Sequence, residues 1–255
     1  MRNIWAILLR ELKSYFVSPI GYVVTVVFLI ISGYFFFYSL VWFNMQCMQF
    51  MQYPQYAKEL NINEMVLRPL MQNMTVVYLL VIPLLTMRLL AEERKNGTDE
   101  LLLTSPVTMN QIILGKFSGA MAAVLLMLVL TGVYPAFAFK YSNPEIGPIL
   151  SGYLGLLFLA ACFVTIGLLF SALTENQIVA AVLTFGVLLI LWIIDWAAES
   201  ASYSTREIIQ YLSVRAHLDE LSKGVIDTKD IVFYLSFSIF GLFLTKMALE
   251  SRRWR

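Results

Sequence analysis

The chain alternates between long apolar runs and short polar stretches. Six of the runs are about twenty residues long or longer, and they lie at about 20–43, 69–90, 117–139, 146–173, 178–196 and 231–249. A helix needs roughly 20 apolar residues to cross the hydrocarbon core of a bilayer, which is about 30 Å thick. The pattern therefore predicts an all-α, polytopic membrane protein whose six transmembrane helices occupy residues 20–255.

Residues 1–19 carry a different pattern, in which apolar side chains recur at helical spacing. Asn3, Arg10 and Lys13 lie on the polar side, and Ser18-Pro19 ends the segment, because proline does not continue a helix. The apolar stripe consists of Ile4, Trp5, Leu8, Leu12, Tyr15 and Phe16. Such an amphipathic helix lies flat in the headgroup region of a membrane. It is either a plain anchor or a surface that also contacts a soluble partner, and the sequence leaves both open.

The polar stretch between the second and third runs begins with the signals of a helix end. Residues 88–95 extend the second run as a charged helical end. Asn96-Gly97 is a typical stop, because glycine accepts the left-handed conformation that closes helices. Thr98 can cap a new short helix, with Asp99 and Glu100 favourably placed in its first turn.

The same stretch then predicts a short helix and a second boundary. Leu101–Leu103 make the short helix apolar enough to dock on another protein, and Ser105-Pro106 ends it. Thr108 and Gln111 form a capping box that opens the third run. We therefore predict a helix–turn–short helix–turn–helix protrusion at about 91–106, with a solvated charged turn as the alternative.

The distribution of basic residues predicts the orientation of the spans. Six spans place both termini on one side, and that side carries eleven of the 18 lysines and arginines. Because cytoplasmic segments are enriched in these residues, both termini are expected in the cytoplasm. Spans three to six carry almost no charge at depth, which argues against an ion-coupled transporter and favours a pump that is energised from outside the membrane.

Composition excludes several classes of protein. Hydrophobic residues make up 59% of the chain and charged residues 14%, against about 45–50% and about 25% in soluble domains, so a soluble enzyme is excluded. The net charge of +1 offers no basic surface for nucleic acid. His217 is the only histidine, and the GxxxxGK[ST] phosphate loop is absent, so neither a histidine metal cluster nor ATP binding by that loop is expected. No catalytic or metal site is assigned.

Two further stretches leave alternatives open. Small residues recur four apart at 115 and 119, 151 and 155, and 167 and 171, which permits close helix packing within the chain or across a dimer. The first outer loop contains Met45, Cys47, Met48 and Met51, which are soft donors for Cu(I) or ordinary apolar filler.

The segment at about 199–228 is expected to form one or two short amphipathic helices over the outer exit, with a solvated loop as the alternative. Its apolar positions at helical spacing are Ile208, Ile209, Leu212, Leu218 and Leu221.

Taken together, these motifs resemble the permease subunits of type-2 ABC transporters, the exporter class, and the gliding-motility permeases most closely. The inner-loop pattern of that family is carried by Glu92, Glu93, Gly97, Thr98, Glu100, Leu101–Leu103, Pro106, Gly115 and Lys116. Arg10-Glu11-Leu12, Tyr15-Phe16, Ser18-Pro19 and Gly21-Tyr22 resemble its N-terminal elbow helix, and Ser171–Thr174 with Asn176-Gln177 resemble the turn between the fourth and fifth spans.

The resemblance implies a non-catalytic permease subunit of an exporter in the bacterial inner membrane, with both termini cytoplasmic. It implies a dimer with a second permease chain, identical or related, a cytosolic ATPase that binds the ATP and Mg, and contacts with membrane lipids; an extracytoplasmic subunit is left open. The implied ATPase-coupling interface comprises Glu92, Glu93, Arg94, Lys95, Asn96, Gly97, Thr98, Asp99, Glu100, Leu101, Leu102 and Leu103, and the implied elbow residues are Arg10, Glu11 and Lys13.

The alternative is a membrane anchor or scaffold subunit of a motility or secretion assembly that moves no cargo. A membrane-embedded enzyme would need reactive polar groups inside the bilayer, and the sequence contains no constellation of them.

Overall fold

The computed structural model describes residues 2–51, 61–98, 107–200, 211 and 213–253. The described residues form helices and no strand. The helices are α1 (Arg2–Val17), α2 (Pro19–Met51), α3 (Arg68–Thr86), α4 (Ala91–Lys95), α5 (Met109–Thr131), α6 (Val133–Tyr141), α7 (Ile146–Leu173), α8 (Gln177–Ser200), α9 (Val214–Ser222) and α10 (Thr228–Arg253), with one π-helical turn, Asn63–Leu67, directly before α3.

Six stretches of the described chain are long and apolar enough to cross a membrane, which confirms the predicted fold class. They are Pro19–Met51, Asn63–Lys95, Met109–Tyr141, Ile146–Leu173, Gln177–Ile194 and Thr228–Ser251. The third comprises both α5 and α6, which meet at Gly132. Each predicted apolar run therefore corresponds to one candidate span.

The first span is longer than the sequence pattern indicated. α2 has 33 residues, so at 1.5 Å per residue it is about 50 Å long and exceeds the hydrocarbon core. Met45, Cys47, Met48 and Met51 belong to its last turns, so the prediction of a loop at these residues is wrong up to Met51. The apolar run ends at 43, but nothing in the residues that follow stops a helix.

α3 and α7 form the centre of the bundle, and α2, α8 and α10 lie at its periphery. Most residues of α3 and α7 are buried, whereas most apolar residues of the three peripheral helices are exposed or only half-buried. Tyr78 of α3 stacks on Phe28 of α2 with 5.7 Å between the ring centroids. The exposed apolar faces are suited to lipid or to another membrane protein.

The predicted small-residue pairs are used for packing within the chain. A Cβ on Gly119 would lie 2.7 Å from Cβ of Glu11, and a Cβ on Gly155 would lie 2.7 Å from Cδ1 of Leu218. Gly167 packs equally closely against Thr86. These glycines therefore bring α1, α9 and α3 against their neighbours.

α9 lies across one end of the bundle and is held there by polar contacts. Asp219 accepts hydrogen bonds from Arg68 (2.6 Å) and Gln72 (2.9 Å) and pairs with Lys223 (2.8 Å). Burial opposes ionisation of Asp219, but hydrogen bonds from Lys223 and Arg68 outweigh it and lower the pKa of this carboxyl. His217 lies 2.6 Å from Asp230 of α10. Ile208, Ile209 and Leu212 lie outside the described residues.

The opposite end carries the first turns of α1 and the last turns of α10. We call it the terminal end. The start of α5 lies beside the end of α10, where Thr108 and Lys246 line one groove, and Asn3 of α1 donates a hydrogen bond to Gln111 of α5. Gln111 also accepts the Thr108 backbone N–H at 3.3 Å, as part of the predicted capping box, which is present.

Candidate functional site

The terminal end is built around α4, a helix separate from α3. α3 ends at Thr86, and residues 87–90 form a turn before α4 begins at Ala91. The second candidate span does extend to Lys95, as the sequence predicted, but the turn at 87–90 divides it into two helices. A helix break leaves backbone groups without intrahelical partners, and the cause of this break lies on another helix.

Ser171 of α7 supplies the missing partners at the break. Its Oγ accepts hydrogen bonds from the backbone N–H groups of Leu90 (2.9 Å) and Ala91 (3.0 Å) and donates one to the carbonyl of Met87 (3.0 Å). One hydroxyl thus satisfies three backbone groups. It acts as an N-terminal cap that comes from a distant part of the chain.

Replacing Ser171 with alanine should lower the free energy of unfolding by about 1–3 kcal/mol, because two buried N–H groups lose their acceptor. The amides of Leu90 and Ala91 should also exchange faster with deuterium. The matched control is Ser118→Ala, since the Ser118 hydroxyl bonds only to carbonyls of its own helix. Equal effects of the two substitutions on stability and exchange would contradict this role.

One side of α4 is held by a buried charge cluster. Glu93 pairs with Arg10 of α1 through Oε1 (3.0 Å) and with Lys116 of α5 through Oε2 (3.0 Å). Lys116 also pairs with Glu11 (2.9 Å) and donates to the carbonyl of Leu89. The Lys116 side chain is only 1% exposed. Two cations and two anions balance one another here, as charges in a low-dielectric setting require.

The other side of α4 is held by Arg94. Its Nη1 donates to the carbonyl of Ala172 (2.7 Å), and its Nη2 lies 3.4 Å from Glu175 in the α7–α8 turn. The four charged residues Glu92–Lys95 of the implied interface differ in their ion pairs. Glu93 and Arg94 form ion pairs, whereas Glu92 and Lys95 form no ion pair with any residue that the structure describes.

A well-formed turn follows α4 and points its residues outward. Gly97 has φ +66°, its N–H bonds to the Arg94 carbonyl (3.0 Å), and the Thr98 N–H bonds to the Glu93 carbonyl (2.9 Å). These two bonds are those of a Schellman motif. Residues 95–98 are exposed, so the predicted stop at Gly97 is present. Asp99, Glu100, Leu101, Leu102 and Leu103 lie outside the described residues.

The elbow helix α1 packs on α5 and on the end of α3. Gly115 and Gly119 permit the close approach, and the Tyr15 hydroxyl donates to the carbonyl of Leu85 at 2.7 Å. The predicted apolar stripe is therefore divided between two environments. Tyr15 is buried against the protein, whereas Trp5 and Phe16, with Leu9, are exposed. Leu9 was not part of the predicted stripe.

The predicted elbow residues differ in their surroundings. Arg10 and Glu11 take part in the charge cluster, and Lys13 is exposed. In the sequence, Lys116 was noticeable only as part of the inner-loop pattern of the resembled family. Ser171 was noticeable only as one of a pair of small residues and as part of the resembled turn between the fourth and fifth spans. A charge near the start of an apolar run was the available signal for Lys116, because such a charge needs a partner.

Comparison with known proteins agrees with this architecture. Residues 5–230 match the family model described as ABC-2 family transporter protein. The match covers nearly the whole chain and does not single out the gliding-motility permeases. A comparison with curated proteins gave no match.

Proposed function

The chain belongs to the ABC-2 transporter family and is thus a multi-pass permease subunit of an ABC transporter, and from this premise we propose that it works as a dimeric exporter driven by a separate cytosolic ATPase. The family is a membrane transport component that pairs with an ABC ATPase subunit. The proposal adds the direction of transport, the dimer and the route by which ATP hydrolysis reaches the spans.

The contacts that hold α4 against three other helices are the observation that carries the proposal. α4 is joined to α1 and α5 through Glu93 and to α7 through Arg94. The exposed turn Asn96–Thr98 follows directly. A partner that pushes on this turn would therefore move three other helices together, which is what a coupling element must do.

Within the implied interface Glu92–Leu103, the residues divide into two groups. Glu93 and Arg94 face the permease itself and transmit movement. Lys95, Asn96, Gly97 and Thr98 are exposed and available to the ATPase. Asp99–Leu103, which lie outside the described residues, stay in the proposed interface on the family resemblance. ATP and Mg are assigned to the partner ATPase, with both permease termini on the cytoplasmic side of a bacterial inner membrane.

Cysteine cross-linking tests the proposal. In a background with Cys47→Ser and Cys162→Ala, we expect Thr98→Cys to cross-link to the ATPase in native membranes, and Asn143→Cys, which is exposed at the opposite end, not to do so. An impermeant maleimide added to intact cells should label only Asn143→Cys. Labelling of Thr98→Cys from outside the cell would overturn the orientation and the coupling role together.

The scaffold alternative predicts the same cross-link, but it predicts a different response of the opposite end of the bundle to ATP. A scaffold that moves no cargo has no need to change the opposite end when ATP is hydrolysed. In the purified complex, ATP should alter the rate at which a cysteine at Met48, exposed on α2, reacts with maleimide. An unchanged rate during ATP turnover would favour the scaffold.

A further inference from the structure

We propose that Lys116 is the positioning residue that makes α1, α4 and the first turns of α5 one rigid body. The inference rests on the proposed coupling function, because it specifies how the coupling turn is connected to the membrane spans. Lys116 is not part of the exposed turn, and its side chain is almost fully buried. Its role would be to hold other elements in place.

The Lys116 ammonium has three acceptor groups around it, two bound by hydrogen bonds and one by an ion pair. A lysine ammonium has three donors and no acceptor. Its three partners are Glu11 on α1, Glu93 on α4 and the carbonyl of Leu89 in the turn before α4. Because these partners belong to the fold and the side chain is 1% exposed, the group is suited to joining elements and not to binding cargo.

The position of Lys116 in the chain explains why this contact matters for coupling. α4 ends at Lys95 and α5 begins at Met109, and the proposed coupling residues lie between these two points in the sequence. Glu93 lies two residues before the first of these points, and Lys116 lies two turns after the second. The Glu93–Lys116 ion pair therefore joins the end of α4 to the first turns of α5. A displacement of either helix end is transmitted to this pair.

The elbow helix is included in the same body by close packing. Gly115 and Gly119 flank Lys116 on α5, and the glycine at 119 lets the Cβ of Glu11 approach closely enough for its carboxylate to reach Lys116. Arg10, the residue before Glu11, pairs with Oε1 of Glu93, whereas Lys116 pairs with Oε2. α1 is thus joined both to α5 and to α4 by neighbouring residues.

Distance measurements between spin labels test the inference. Labels at Ala6 of α1 and Lys95 of α4, both exposed, are introduced in the Cys47→Ser, Cys162→Ala background of the full chain. In the complex with its ATPase we expect the distance between the two labels of one chain to be narrow and unchanged by ATP with vanadate. Lys116→Met should abolish the narrow distance or make it depend on nucleotide.

Lys229→Met is the matched control, because Lys229 forms an exposed ion pair with Asp227 at the opposite end; it should keep the narrow distance. If Lys116→Met does not fold, the double variant Lys116→Met, Glu11→Gln removes one charge of each sign and leaves Arg10 paired with Glu93. It should lose the narrow distance as well.

A narrow, nucleotide-independent distance in either folded Lys116 variant would overturn the inference. In the permease alone, the width of the distance distribution gives a readout that does not depend on the ATPase. Failure of the Thr98 cross-link would therefore refute the coupling function, whereas an unchanged label distance would refute only the role of Lys116.

Discussion

Replacing Glu93 with alanine should lower the free energy of unfolding of the permease by about 3 kcal/mol, whereas Glu92→Ala should change it by less than about 1 kcal/mol. The Glu93 side chain is 10% exposed and faces two cations. Its removal leaves the buried Lys116 with only Glu11 as a charged partner. This expected loss of free energy lies at the low end of the range for breaking a buried ion pair. The reason is that Arg10 is 61% exposed and can be hydrated once Glu93 is removed.

Chemical denaturation of the purified permease in one detergent measures this difference. Glu92 is the matched control, since it is the adjacent residue, has the same chemistry and forms no ion pair with a described residue. A comparable loss in both variants would mean that general acidity of α4, and not the cluster with Lys116, stabilises the terminal end. An unchanged stability of Glu93→Ala would contradict the buried cluster itself.

Replacing Gly97 with valine should weaken binding of the permease to its ATPase about tenfold. The left-handed conformation at φ +66° costs roughly 1–2 kcal/mol for a residue with a Cβ and more for a β-branched one, and 1.4 kcal/mol corresponds to a factor of ten. A Cβ at this position would lie more than 4 Å from every atom of the residues that the structure describes. The expected loss is therefore conformational and leaves the rest of the fold intact.

Titration of the purified ATPase against the permease in detergent checks this result. Gly97→Asn is the control, because asparagine tolerates the left-handed region, and its affinity should stay close to that of the parent. The amide of Thr98, which bonds to the Glu93 carbonyl, should exchange faster in Gly97→Val. Faster exchange with unchanged affinity would show that the turn matters for the fold and not for the ATPase.

The local pattern of the sequence was enough to predict most of the helices. Six apolar runs correspond to six candidate spans, and the amphipathic residues 2–17 correspond to α1. Gly97 and the capping box at Thr108 were recognisable because each signal lies within a few neighbouring residues. These features depend on helical periodicity and on backbone preferences, which short stretches of sequence encode.

The break between α3 and α4 could not be predicted in this way. Pro83 lies one turn earlier, and the Met87 N–H still bonds to its carbonyl, so residues 87–90 contain no local stop signal. The break depends on Ser171, which is about eighty residues away. A hydroxyl on another helix can stabilise the turn only after both helices have packed.

The sequence alone thus determined a six-span helical membrane protein with an amphipathic N-terminal helix and a turn at Gly97. The tertiary structure decided which charged side chains form ion pairs inside the fold. Glu92 and Glu93 are equivalent letters in a sequence, but only Glu93 meets Arg10 and Lys116. The physical reason is that a polar side chain is stabilised by its neighbours in space, and helix packing, not sequence separation, selects those neighbours.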